Sequence, residues 1–392
     1  MSDSEDESGD ETKTQVERPK AITGHSDFVD ISFHPLEFYA LATANLNGYL
    51  TVHKCNPGED SERKFKIRAS TKPCRCLSFS STGDDVFVLT KDRTLQTINT
   101  CTGTVASKFT DIHSSPPYSL AIIDKNLLAT GDDGGTLKLW DLRKGNTAVM
   151  EDRKFDDYVS GIAVDDKHRL LFAVSGDGTM ATFNARQRKF IVQSENEECD
   201  ILCAKVVKDN KKVIAGLADG LMLLYNWDEF AAPSDKFPGH TDSIDHIAKV
   251  TEDIVCTASS DGKIRAVHIL PNRFLGVVGD HDGMPVEKVK CTTDGRFLAS
   301  CSHDSTVRFW SVEHLHETDV DPQGKPEKHK KNEKMSQSGV GHGRKEFFAD
   351  FEKDVVVPSA DEDSDSDLGS DLPDSDELSD SESSIDGESE PE

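Results

Sequence analysis

IVCTASSDGKIRAV (254–267) is two short apolar runs hinged on Asp261-Gly262. Asp-Gly tolerates positive φ and so closes a tight two-residue turn, while the flanks alternate with the period of two that belongs to strands. The segment predicts a β-hairpin. The same pattern recurs as ALATANLNGYLTVH (40–53), VFVLTKDRTLQTI (86–98), LLATGDDGGTLKLW (127–140), LLFAVSGDGTMATF (170–183), KVIAGLADGLMLLY (212–225) and FLASCSHDSTVRFW (297–310). The residue six before the end of each copy is Asn47, Asp92, Gly134, Asp177, Asp219, Asp261 and Asp304, at spacings of 45, 42, 43, 42, 42 and 43. A period this regular makes each copy one unit of a repeat.

A further strand precedes each hairpin, as in Val29-Asp30-Ile31-Ser32-Phe33 or Val286-Glu287-Lys288-Val289, and a fourth follows, as in Arg273-Phe274-Leu275-Gly276-Val277. Four strands in each ~40-residue unit describe the blade of a propeller. The fold predicted is all-β, a seven-bladed β-propeller over residues 18–316. After 310 the chain turns polar, so the outer strand of the seventh blade is expected from Pro19–Thr23, which would close the ring and remove an exposed edge.

The repeats resemble the WD40 family. Gly24-His25 and Gly239-His240 match its Gly-His element, and Trp140-Asp141 matches its Trp-Asp element, although the other copies end in His53, Ile98, Phe183, Tyr225, Val267 and Trp310-Ser311. The resemblance implies hydrogen-bonded chains that staple the blades, with structural places for His25, His113, His240 and His281. In blade seven the chain is expected to run through His281, Ser302, Asp304 and Trp310. In blade three it is expected through His113, Thr130 and Trp140, with Asp133 as the acid.

Charge sets off the two ends. The chain has 392 residues and net charge −27, of which residues 1–17 contribute −6 and residues 359–392 contribute −15, leaving the middle near balance. Both ends are expected to be disordered acidic arms, because so few apolar residues cannot offset the entropy of ordering. The tail (317–392) subdivides into a basic stretch (325–345, seven Lys/Arg against two Glu), a Phe-rich segment and an acidic Ser/Asp/Glu run. The basic stretch could contact RNA phosphates or serve as a nuclear-import signal; a plain spacer is the competing reading. Phe347, Phe348 and Phe351 fall on one face of a helix and are expected to dock, on the propeller or on a partner. Ser2, Ser4, Ser8, Ser364, Ser379 and Ser383 sit beside acids and are candidates for an acidophilic kinase. No apolar stretch approaches a membrane span, and the acidic N-terminus lacks signal-peptide character. The nine cysteines form no CxxC pair and are expected as reduced core thiols.

No nucleophile, phosphate-loop or zinc-protease motif occurs, so no catalytic residues, cofactor or metal are expected, and His314-x-His316 lacks further ligands. The expectation is a non-enzymatic, monomeric protein-binding module. The WD40 resemblance implies that the residue after the first apolar position of a blade's first strand points to the rim; aligned so, Asp30, Ser119, Ser160, Asp245 and Glu287 are candidates for partner contact, and the three acids among them suit a basic partner. Leu139-Trp140-Asp141-Leu142-Arg143 resembles the WD box of cullin-4 ubiquitin-ligase substrate receptors, which implies Trp140, Asp141 and Arg143 as an adaptor-binding edge; a blade closure with an ordinary turn cation is the competing reading. Asp261–Gly279, residues 127–145, Tyr225-Asn226-Trp227 and the tail segment FFADF resemble the WD repeat-containing protein 55 family. That resemblance implies a nuclear, nucleolar scaffold for ribosomal RNA production, with pre-ribosome assembly factors as partners.

Overall fold

The computed structural model describes residues 17–318. Seven four-stranded antiparallel sheets follow one another along the chain, each read from innermost strand a to outermost strand d. Strands a are Phe28–Phe33, Cys74–Phe79, Pro117–Ile122, Val159–Val164, Ile201–Val207, Ile244–Lys249 and Val286–Cys291. The predicted all-β, seven-bladed propeller is therefore the fold. The seventh sheet is completed by Ile22–Thr23, which pairs antiparallel with Thr306–Ser311 in the register Ile22↔Val307 and Thr23↔Thr306. The strap forecast at Pro19–Thr23 thus exists, and Ile22 is buried against Ile31, Leu41 and Phe309.

Each hairpin between strands b and c turns on one left-handed residue at the same repeat position. These are Gly48, Arg93, Gly135, Gly178, Gly220, Gly262 and Ser305, with φ between 57° and 85°. Glycine adopts that region without steric cost; Arg93 and Ser305 hold it because the surrounding ladder over-determines the turn. At Gly48 a Cβ would also lie 2.2 Å from the carbonyl oxygen of Ser70, so only glycine fits.

Strands b and c are almost wholly buried, whereas the d strands of blades one and four are exposed or half-buried. The core is a series of inter-blade layers. Leu171, Phe172 and Phe183 of blade four, for instance, are split between layers shared with blade three and with blade five. Burial of this kind, at roughly 25 cal/mol per Å² of apolar surface, dominates the stabilisation.

The hydrogen-bonded chains are present in blades three and seven, with two residues reassigned. In blade seven His281 Nε2 and Trp310 Nε1 both reach Ser300 Oγ (2.7 and 2.8 Å), and His281 Nδ1 meets Asp304 (2.8 Å). Ser302, expected in this role, instead donates to the carbonyl of Met284. In blade three His113 bridges Thr130 (2.6 Å) and Asp132 (3.0 Å), and Trp140 donates to Thr130 (2.8 Å). Asp132, not Asp133, is the acid: it is the last residue of strand b, and its side chain points inward while that of Asp133 points to the rim. In blade six His240 reaches Thr257 (2.8 Å), but the carboxylate of Asp261 is taken by Arg265 and Thr241. His25, placed in such a chain by its motif, is exposed, because neither Asn47 nor His53 offers the acid and indole of blades three and seven.

All nine cysteines are free thiols; Cys55, Cys74, Cys203, Cys256 and Cys301 are buried, and Cys101 is exposed. Burial pushes the Cys55 and Cys74 thiols up to about 12. No helix among the described residues is long and apolar enough to cross a membrane.

Candidate functional site

Every blade carries the same irregularity. The ladder between strands a and b skips Val29, Arg75, Tyr118, Ser160, Leu202, Asp245 and Glu287, one bulged residue in each blade. Because the strands alternate in direction, this bulge lies at the end of the propeller that also carries the b–c turns, here called the top. A bulge re-aims its side chain away from the sheet.

The bulge register sorts four of the five rim candidates, all but Ser160. Ser160, Asp245 and Glu287 occupy it; Asp30 and Ser119 sit one residue further along. Asp30 is only 3% exposed, and its carboxylate accepts from Ile31 N (2.9 Å), Leu77 N (2.7 Å) and the Cys76 thiol (3.1 Å). Ser119 is buried and donates to the carbonyl of Val159 (2.8 Å), and buried Ser160 lies within reach of the carbonyls of Val174 and Ile201. These three tie adjacent blades together and do not face a partner. Asp245 and Glu287 remain near the surface. Asp245 accepts from Ser243 (2.9 Å) and Ser260 (2.8 Å), while Glu287 meets His303 at 2.5 Å. Partial burial raises the Asp245 carboxyl above its usual range, against the pull of the two serines.

Sequence reasoning missed the most developed part of the top. The guanidinium of Arg75 lies 5.3 Å over the ring of Tyr118 and 3.8 Å from Asp133. Tyr118 packs on Tyr158 with ring centroids 5.0 Å apart, and the Tyr158 hydroxyl donates to Asp200 at 3.4 Å. An arc of carboxylate, guanidinium, two phenols and carboxylate thus spans blades two to five. All five side chains are half-buried. Tyr158 can lie flat because Gly176 is beneath it, where a Cβ would come within 2.3 Å of the ring. Burial and nearby Tyr118, Asp200 and Asp157 drive the Tyr158 phenol well above its ordinary value, so it stays neutral and able to donate. The signal for this arc was the bulge register: Arg75 and Tyr118 share it, but no motif marks it.

The WD box lies at the opposite end. Trp140 is buried in the blade-three chain. Asp141 caps the short 3-10 turn Leu142–Lys144, and Arg143 folds back on it with both prongs, Nε to Oδ1 at 2.8 Å and Nη2 to Oδ2 at 2.7 Å. This pairing with Arg143 holds the Asp141 carboxyl down at about 2. The Arg143 side chain is still 68% exposed. His316 of the other 3-10 turn, Glu313–Glu317, meets the carbonyl of Gly295 at 2.8 Å, and the described residues hold no cluster of three or more His, Cys, Asp or Glu that could bind a metal. Phe347, Phe348, Phe351, the basic stretch and the six serines lie outside the described residues.

A family model described as WDR55 matches residues 19–315. The chain is 37% identical to the human WD repeat-containing protein 55 over 323 residues, covering 82% of this chain and 84% of that protein. It is 36% identical to the Rattus norvegicus protein of the same name over 305 residues, covering 77% and 79%. A WD repeat-containing protein 55 homolog of Drosophila willistoni is 33% identical over 359 residues, covering 89% and 70%.

Proposed function

The chain belongs to the WDR55 family, and from that premise we propose that it is a non-enzymatic, monomeric protein-interaction scaffold acting in the nucleolus in ribosomal RNA production. WD propellers typically bind proteins. The observation that carries the reading here is the Asp133–Arg75–Tyr118–Tyr158–Asp200 arc on the top. Tyr and Arg are enriched where binding energy concentrates, because they bury large area with few rotatable bonds and keep a polar tip. The carboxylates at both ends of the arc, with Asp245 and Glu287 further round, favour a basic partner segment such as those of ribosomal assembly factors. The basic stretch 325–345 supports a contact with RNA.

Depletion should lower processing of ribosomal RNA precursors before translation falls; unchanged precursors after full depletion would remove the ribosomal reading. Affinity purification of wild type and of a Tyr118→Ala/Tyr158→Ala variant, each with and without ribonuclease, tests the surface itself. Partners held by the arc should survive ribonuclease and vanish from the variant.

One observation favours a second reading, a substrate receptor of a cullin-4 ligase: Arg143 is solvent-exposed at the bottom edge of blade three. Its fork is already engaged by Asp141, so docking an adaptor would require it to share or release that pair. Arg143→Ala should abolish adaptor capture with an unchanged melting temperature if the reading holds.

A further inference from the structure

The central channel is lined by alternate residues of the innermost strands, those one and three places past each bulge. The residue between them points into the blade layers, as Ile31, Leu77, Ile247 and Val289 show by their burial. Around blades one to four the channel positions are Asp30 and Ser32, Cys76 and Ser78, Ser119 and Ala121, and Gly161 and Ala163. Around blades five to seven they are Cys203 and Lys205, His246 and Ala248, and Lys288 and Lys290.

The basic side chains are therefore gathered on three adjacent blades of a protein whose net charge is −27. Lys205, His246, Lys288 and Lys290 are all half-buried. Among the described residues, no carboxylate lies within ion-pair distance of the Lys205, Lys288 or Lys290 ammonium groups, and none of the three makes a hydrogen bond. His246 Nδ1 is likewise buried without a partner. The channel's own acid, Asp30, is committed to the backbone of blades one and two. Lys249, at the bottom end of its strand, is taken by Glu252 (2.7 Å) and Asp166 (3.8 Å).

Like charges in a confined, poorly hydrated space repel unless a counter-charge joins them. Burial and that repulsion act in the same direction on the protonation equilibria. Burial, with the charges of Lys290 and Lys249, brings Lys205 down to about 8, and burial with Lys290, Lys288 and Lys205 drives His246 well below its ordinary value. Lys288, nearer the top, is held up by Asp30, Tyr118 and Glu287 against the cost of burial. The uncompensated positive charge thus concentrates lower in the channel, at Lys205 and Lys290, with the neutral His246 imidazole beside them.

We infer that the channel binds one small multivalent oxyanion of the phosphate class, held by the ammonium groups of Lys205 and Lys290 with His246 Nδ1 and Lys288 completing the cage. Ammonium groups bind such ions as point charges without needing a fixed fork, which suits a set of flexible side chains converging from three strands. The residues were inconspicuous in the sequence, where Lys205 and His246 fall 41 positions apart and His246 and Lys290 fall 44 apart; the ring closure brings them together.

The test uses the full chain at pH 7, with sodium pyrophosphate as probe and sodium chloride at matched ionic strength as control. Pyrophosphate should raise the melting temperature beyond the salt control, and calorimetry should give one site per chain. Lys205→Met/Lys290→Met should weaken pyrophosphate at least tenfold while melting higher than wild type without the ion, since it removes the repulsion. Lys205→Arg/Lys290→Arg, which keeps the charge, should retain binding and guards against a Met variant that fails to fold. A shift no larger than that of chloride, or equal affinity in wild type and the Met variant, would overturn the assignment.

Discussion

Asp132 and Asp133 are adjacent carboxylates with opposite surroundings, and a single atom change separates their roles. Burial alone would raise the Asp132 carboxyl, but the hydrogen bonds from His113 and from the Thr136 and Gly134 amides outweigh it and hold it below the usual carboxylate range. The folded state of this group is therefore favoured above the unfolded value near 4, and that contribution disappears as pH falls through the lowered value. Asp132→Asn should cost roughly 1–3 kcal/mol at pH 7 and flatten the acid limb of stability, whereas Asp133→Asn should leave urea midpoints nearly unchanged. Equal losses from both would contradict the reassignment. His53 shows the reverse sign. It stands where blades three and seven carry Trp, and burial followed by the charge of Arg63 lowers it to about 4. A buried neutral histidine costs nothing above about pH 6.5 and costs stability as pH falls from there towards 4, by up to about 3 kcal/mol. His53→Phe should therefore gain on wild type between pH 7 and pH 4.5, measured as the difference in urea midpoints at the two values.

At the scale of the element, the blades are not equal. Thr130 accepts from a buried indole and meets a buried imidazole, and Ser300 does the same in blade seven with a half-buried indole. Thr130→Val and Ser300→Ala each strand two ring nitrogens and should cost roughly 2–4 kcal/mol, while Thr97→Val in blade two, whose hydroxyl meets only Ser107, should cost less than about 1. The layer between blades six and seven has a further constraint. A Cβ on Gly279 would come within 2.5 Å of the Trp310 ring, so Gly279→Ala should expel that ring, break its bond to Ser300 and lower the melting temperature as much as Ser300→Ala does. If the two substitutions prove additive in combination, the ring and the chain are not coupled as described.

For the whole molecule, closure is the decisive contact. Ile22–Thr23 is a strap of two residues, yet it is what pairs the outer edge of Thr306–Ser311 and buries Ile22 between the first and last blades. A chain beginning at Gly24 should melt lower than one beginning at Glu17 and should associate as concentration rises, because an unpaired strand edge is a template for another chain. Differential scanning calorimetry and sedimentation of the two chains check this; identical behaviour would show that the strap is dispensable.

The repeat period, the Asx-Gly turns at 47–48, 177–178, 219–220 and 261–262 and the alternation of the flanking runs were enough to determine the number of blades and the hairpins. Those features are local: φ preferences and a period of two act within a few residues, so a linear reading captures them. The candidate site was legible only in part. Asp245 and Glu287 were placed on the rim by the WD40 resemblance. Asp30 and Ser119 were misplaced by one residue, since a bulge shifts every later side chain to the other face and leaves no mark in the composition. The stacking of Arg75, Tyr118 and Tyr158, and the convergence of Lys205, His246, Lys288 and Lys290, were decided by tertiary structure alone. Lys288 and Lys290 excepted, they come from different blades, tens of residues apart, and only the closing of seven sheets around one axis sets the distances between them.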